Sequence, residues 1–188
     1  MKTGALLREI ARRFSPWLRG EPKRALDLCT GSGCLAVLLA LAFPKSKVDA
    51  ADLSAGALAV AAKNVARYEL SKRIELVRSD LFDALGRRKY DLIVSNPPYV
   101  TARAMAKLPK EYRQEPALAL AAGADGLDLV RRILAEAKAR LNPGGLLACE
   151  IGGNRKALER AFPRLEFAWP ALSDPDSVFV LEREQLPG

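Results

Sequence analysis

The sequence predicts one α/β domain built on a mainly parallel sheet, with helices on both faces and an antiparallel hairpin at the C-terminus. Three observations predict it. Short apolar strands alternate with amphipathic helices along most of the chain, the pattern of βαβ units. A glycine-rich turn follows the first predicted strand. The last two predicted strands have no helix between them. A length of 188 residues suits one domain with a small appendage.

The elements follow in order. From Lys2 to Leu18, the residues Leu6, Leu7, Ile10, Phe14 and Trp17 recur at helical spacing. Gly20 to Pro22 ends that helix, so residues 1–22 read as an amphipathic helix and linker, and 23–188 as the folded domain. Arg24–Leu28 is a strand leading into the loop Cys29–Gly33, and a buried helix spans Cys34–Ala42. A second strand, Lys47–Ala51, ends at Asp52. Ser54 then caps a helix to about Tyr68, with Leu58, Ala61, Val65 and Tyr68 on one face. Ile74–Arg78 and Tyr90–Val94 are the third and fourth strands. A helix over Leu127–Leu141 carries the stripe Leu127, Val130, Ile133, Leu134, Ala137 and Leu141. Asn142-Pro143-Gly144-Gly145 reads as a turn, followed by a fifth strand over Leu146–Ile151 and a short helix near Asn154–Ala161. Leu165–Trp169 and Val178–Glu182 alternate as strands and are joined by a turn at Asp174-Pro175-Asp176.

Composition narrows the chemistry. The chain is 49% hydrophobic and 28% charged, which excludes collagen-like and wholly disordered readings. No apolar run is long enough to span a bilayer, and Arg8, Glu9, Arg12 and Arg13 interrupt the N-terminus where a secretion signal needs its apolar stretch. The absence of histidine removes histidine general bases, Ser-His-Asp triads and histidine zinc sites, so no metal site is expected. Cys29, Cys34 and Cys149 form no CxxC pair and read as buried small hydrophobes of a reducing cytoplasm. The net charge is +8, and the first 24 residues hold seven basic residues against two acidic ones. That N-terminal basic region favours contact with RNA or a nucleoprotein.

Three motifs carry the chemistry. Asp27-Leu28-Cys29-Thr30-Gly31-Ser32-Gly33-Cys34 brings backbone close to a ligand at a helix N-terminus. Asp52, at the end of the second strand, is placed to hold ribose hydroxyls. This pattern suits a nicotinamide cofactor as well as S-adenosylmethionine. Asp80, followed by Leu81 and Phe82, lies after the third strand. It can face an adenine amino group with Leu81 or Phe82 on the ring, or it can cap a helix. Ser95-Asn96-Pro97-Pro98-Tyr99 follows the fourth strand. Two prolines stiffen the segment and leave the Pro97 carbonyl to accept. Asn96 adds a second carbonyl acceptor, and Tyr99 can pack on a planar group. Together they can hold both N–H bonds of an NH2 group and aim its nitrogen at an electrophilic methyl. Between Asn96 and Gly126 runs a long segment without a predicted strand, the kind of connection that is usually functional.

In order, Asp27 to Gly33, Asp52, Asp80 and Asn96 to Tyr99 resemble the amino-group methyltransferases that use S-adenosylmethionine, and within them the HemK-type protein N(5)-glutamine methyltransferases. Leu108 to Pro116, Ala119 to Gly123, Asp125 to Asp128 and Val178 to Leu186 look most like the branch acting on large-subunit ribosomal protein three. The resemblance covers about residues 5 to 186. It implies a class I, Rossmann-like fold of seven strands and makes 23–188 a catalytic domain. It implies that Cys29, Thr30, Gly31, Ser32 and Gly33 wrap the methionine end of S-adenosylmethionine. Asp52 and Leu53 would take its ribose, and Asp80 and Leu81 its adenine. Asn96, Pro97, Pro98 and Tyr99 would hold the glutamine amide, with Asn96 also facing the cofactor. The implied partner is a translation protein in the cytoplasm, a ribosomal protein ahead of a release factor. Such enzymes carry an N-terminal helical domain that helps recognise the substrate. Here the Lys2–Leu18 helix alone precedes the first strand, so the resemblance carries cofactor binding further than substrate choice.

Three other classes account for less of the sequence. An adenine amino methyltransferase fits the Asn-Pro-Pro-Tyr geometry and the positive charge, but no target-recognition segment is visible. A non-catalytic cofactor-binding module would not need all the motifs. A nicotinamide-dependent dehydrogenase fits the first motif only.

Overall fold

The computed structural model describes residues 17–99, 123, 125–170 and 177–187. The expected N-terminal helix falls almost wholly outside them, as do most of the segment between Asn96 and Gly126 and the Asp174–Asp176 turn.

Six strands form one sheet: β1 (Arg24–Leu28), β2 (Lys47–Asp52), β3 (Ile74–Arg78), β4 (Tyr90–Ser95), β5 (Leu141–Glu150) and β6 (Val178–Glu182). Their order is β3-β2-β1-β4-β5-β6, parallel throughout except for β6, which runs antiparallel to β5. Helices α1 (Cys34–Ala42), α2 (Ala55–Arg67), α3 (Asp128–Arg140) and α4 (Arg155–Ala161) complete the described elements, with short 3₁₀ turns at Asp83–Leu85 and Arg183–Gln185. The chain runs outward from β1 to β3, then returns to the other side of β1 for β4. That reversal makes the carboxyl ends of β1 and β4 a topological switch point, where open α/β sheets take ligands.

Period-two alternation builds two cores. Ala25, Leu92, Val94, Leu146, Ala148 and Val180 pack toward Ala36, Val37, Leu39, Ala40 and Val65 of α1 and α2. Leu26, Leu28, Ile93, Leu147, Cys149, Phe179 and Leu181 pack toward Val130, Ile133, Leu134 and Ala137 of α3. Both faces of the central strands are therefore buried, as a parallel sheet requires. The stripe read for α3 is buried throughout, and α2 begins as expected, with the Ser54 hydroxyl accepting the Ala57 N–H at 3.2 Å. Tyr68, placed on the buried face by its spacing, is instead 47% exposed, because it stands just beyond the last turn of α2.

Two expected elements differ. Asn142–Gly145 lies within β5 as a bulge rather than ahead of it, since Tyr90 pairs with Leu141 and Leu92 with Leu146. The excursion is held from outside: Asn142 donates to Asp91 at 2.8 Å and the Gly144 N–H to Glu184 at 3.1 Å. The implied seventh strand, Leu165–Trp169, is reduced among the described residues to one antiparallel bridge, Ala168 with Val180. Its aromatic side chains pack on each other and on Phe179, and Arg155 stacks 4.4 Å from the Trp169 ring centroid.

Candidate active site

The motif residues after β1, β2, β3 and β4 share one edge of the sheet because parallel strands all exit there. The glycine loop is folded by backbone and by Asp27. Cys29 takes φ +61°, Gly31 +56° and Gly33 +78°. The Thr30 N–H reaches the Ala51 carbonyl at 2.9 Å, tying the loop to β2. Gly33 precedes α1 and brings no side chain to cap it. Asp27 does so from β1: Oδ2 accepts the Ala36 N–H at 2.9 Å and the Thr30 hydroxyl. Its Oδ1 is buried without a partner among the described residues. Complete burial pushes the Asp27 carboxyl up to about 7, against the lowering effect of its two donors. A Cβ on Gly33 would stand 3.0 Å from that of Ala61, so this glycine is where α1 and α2 meet. By contrast, nothing lies within 4 Å of a Cβ placed on Gly31. The loop backbone there opens onto free space.

Asp52 leaves β2 toward this space. Its Oδ2 accepts the Gly31 N–H and its Oδ1 the Ser54 N–H, each at 2.8 Å. Each oxygen keeps a second lone pair for a hydroxyl donor. Leu53 is 62% exposed beside it. Asn64 of α2 donates to the Ser32 carbonyl at 2.8 Å, steadying the loop from behind. Asp80 is half-exposed and pairs with Arg132 of α3 at 3.0 Å. It does not cap a helix through its side chain; Ser79 Oγ accepts the Ala84 N–H at 3.0 Å instead. Leu81 (φ +46°) and Phe82 are buried in the α3-side core. Burial leaves these side chains little surface for a ligand ring, so the half-exposed Asp80 carboxylate is the open group of this corner.

Ser95, buried at the end of β4, donates to the Leu28 carbonyl at 2.8 Å and locks the second loop beside the first. Asn96 is exposed, Pro97 buried, and Pro98 and Tyr99 half-buried. The Asn96 amide and the Pro97 carbonyl make no hydrogen bond to a described residue. Tyr99 packs tightly: a Cβ on Gly152 would come within 2.6 Å of its ring, and one on Gly126 within 2.4 Å of its carbonyl. Its hydroxyl donates to Glu150, at the end of β5, at 3.1 Å. Glu150, Gly126 and Gly152 were not among the residues read as functional from the sequence. The available signal was Glu150 as the lone charge ending an apolar strand. An apolar cavity of about 110 Å³ lies against the same strand ends, between Leu35 and Leu38 of α1 and Val94, Ala148 and Val178 of the sheet. Burial pushes the Cys29 thiol up to about 12, so it is no nucleophile at neutral pH.

The set of polar groups fits a nucleoside cofactor: open loop backbone at Gly31, the Asp52 carboxylate beside it with lone pairs left for hydroxyl donors, and the Asp80 carboxylate beyond. Among the described residues no helix is long and apolar enough to cross a membrane.

The chain is similar to known proteins. The curated ribosomal protein uL3 glutamine methyltransferase of Bordetella pertussis is 55% identical over 176 residues, covering 92% of this chain and 59% of its own. That of Neisseria gonorrhoeae is 52% identical, covering 92% and 58%. The chain thus spans less than two thirds of these relatives' length. Among solved structures, a methyltransferase from Pyrococcus furiosus superposes with a TM-score of 0.66 at 20% identity, over 94% of this chain and 82% of that one. TrmN from Thermus thermophilus gives 0.63 at 28%, over 92% and 48%. The sequence matches the family described as methyltransferase small domain over residues 3–112. With its sheet order, its glycine loop and its Asn-Pro-Pro-Tyr segment at one edge, this chain belongs to the methyltransferase small domain family.

Proposed function

We propose that this chain is the catalytic part of an S-adenosylmethionine-dependent methyltransferase that modifies the side-chain amide of a glutamine in a cytoplasmic translation protein, with large-subunit ribosomal protein uL3 as substrate. The observation that carries the reading is a pair of acceptors with no partner among the described residues, the exposed Asn96 amide and the Pro97 carbonyl, fixed by Ser95 next to the glycine loop. The names of the relatives support the choice of uL3. S-adenosylmethionine, when bound, supplies an electrophilic methyl on a sulfonium that departs as a neutral thioether.

The chain's own residues bind and orient. Gly31 and its neighbours present backbone to the cofactor's amino-acid end, and Asp52 receives its ribose hydroxyls, with Leu53 alongside. Asp80 is the acceptor for an adenine amino group. Asn96 Oδ1 and the Pro97 carbonyl accept the two amide N–H bonds of glutamine. That fixes the nitrogen and steadies the positive charge it gains as the N–C bond forms. Pro98 holds the segment rigid, and Tyr99, braced by Glu150 and Gly152, walls the amide plane. The methylated nitrogen then releases its extra proton to solvent, so no dedicated base is needed.

The test is transfer of labelled methyl to uL3 and to a release factor, by the wild type and by Asn96→Ala. The reading expects label on uL3 and a loss of turnover of about 10²-fold or more in the variant, with cofactor affinity little changed. Label on the release factor alone would move the substrate to the other branch. Adenine as acceptor would replace the reaction with nucleic-acid methylation.

A further inference from the structure

We infer that the amino edge of the sheet, opposite the motif loops, is a docking surface for single-stranded RNA. Parallel strands all begin on the same edge. A basic residue just before each strand therefore becomes a row in space. At four adjacent strands, in sheet order, that residue is exposed and uncommitted: Lys72 ahead of β3, Lys45 ahead of β2, Lys23 ahead of β1 and Arg87 ahead of β4. No described group accepts a hydrogen bond from any of these four side chains or pairs with it. Neighbouring strands lie about 4.8 Å apart, so four adjacent strand starts span about 14 Å of edge, enough to meet a few consecutive phosphates of one strand.

Other cations hold this edge in place. Lys47 Nζ donates to the Lys72 carbonyl at 2.7 Å, Lys89 Nζ to Ala139 at 2.6 Å, and the Arg73 guanidinium to Phe43 and Ser46. These are hydrogen bonds to neutral carbonyls, so the positive charge remains. The carboxylates nearby are either ion-paired or bound to backbone, and those bound only to neutral groups keep their negative charge. Asp49 is buried under Arg24, Arg88 and Tyr90, and Asp91 accepts the Lys23 and Arg24 N–H groups. Glu75 pairs with Arg88, and Glu21 accepts the Lys45 N–H. Asp91 and Glu21, together with Glu69 in the same turn as Lys72, offset three charges, and the four cations of the row with Lys47, Lys89 and Arg73 leave the edge positive.

That turn also presents Tyr68, 47% exposed at the end of α2. A linear basic row beside one exposed aromatic is the arrangement that tracks a phosphate backbone and stacks a base. A membrane surface would instead call for several exposed apolar side chains. Leu53 and Val60, the other large exposed hydrophobics among the described residues, lie away from this edge. The inference does not depend on the proposed methyl acceptor, because the row lies on the edge opposite the site.

The test is fluorescence anisotropy of a short labelled single-stranded RNA titrated with the chain between 50 and 200 mM salt. The combined variant Lys45→Glu, Lys72→Glu and Arg87→Glu should weaken binding at least tenfold. It should also make the slope of log affinity against log salt shallower by about 2. Tyr68→Ala should weaken binding about fivefold or more without changing that slope. Both variants should keep the wild-type unfolding midpoint and affinity for S-adenosylmethionine, because none of these four side chains has a partner in the site. Three results would overturn the inference: no RNA binding by the wild type, wild-type affinity and slope in the combined variant, or equally tight retention by phosphatidylserine vesicles or polyglutamate.

Discussion

Replacing Asp27 with Asn should abolish a loss of stability that the wild type suffers as the pH rises from about 4 to 7. In the unfolded chain this carboxyl titrates at 3.8, whereas in the fold burial moves it to about 7. Between those values the folded state holds a proton that the unfolded state has released. Raising the pH therefore favours unfolding, and the penalty is absent below the lower value and complete above the upper one. A difference of that size corresponds to about 4 kcal/mol at most, or about 1.4 kcal/mol per pH unit across the window. Asn is close to isosteric. Its carbonyl can accept the Thr30 hydroxyl and the Ala36 N–H, and its NH2 stands where Oδ1 now lacks a partner. The assay is urea unfolding of both proteins in steps from about pH 4 to pH 8, read as the difference between them at each pH. Taking the difference cancels Asp125, whose carboxyl the Arg131 guanidinium holds low and which acts in the opposite direction. The variant should gain on the wild type steadily across the window. A difference that stays flat, or that grows in favour of Asp27 as the pH rises, would show a carboxylate held ionised by its two donors and would refute the reasoning.

Two further substitutions follow from the same loop. Gly33→Ala combines a φ of +78° with a Cβ 3.0 Å from that of Ala61, and should lower stability by about 1–3 kcal/mol, measured as a fall in the thermal midpoint. Asp52→Ala removes the acceptor of the Gly31 and Ser54 N–H groups. It should weaken S-adenosylmethionine binding at least tenfold by calorimetry while changing turnover at saturating cofactor far less.

The parts of the fold that were legible in the sequence are those where local pattern and burial agree. The α3 stripe, the Ser54 cap and the five parallel strands needed no distant partner to be recognised. The bulge in β5 was not legible. Asn-Pro-Gly-Gly has the chemistry of a turn, and only Asp91 and Glu184, far away in sequence, fix it as an excursion inside a strand. Leu165–Trp169 alternates like a strand. Its aromatics instead pack around Phe179 and beside Arg155, leaving among the described residues one bridge, at Ala168. In the site, the motif residues were legible because parallel topology delivers strand ends to one edge. Their supports were not. The Asp80–Arg132 and Tyr99–Glu150 contacts join residues about 50 apart in sequence, and pairing at that distance follows from the sheet order rather than from any local signal.

The central claim is that Asn96 and Pro97 present a glutamine amide to the methyl donor. Tandem mass spectrometry of uL3 after reaction with this chain and S-adenosylmethionine tests it most directly. The account predicts a single methyl group on a glutamine side-chain nitrogen, absent when Asn96→Ala is used. A methyl group on a lysine, an arginine or the protein's N-terminus, or an unchanged yield from Asn96→Ala, would contradict it.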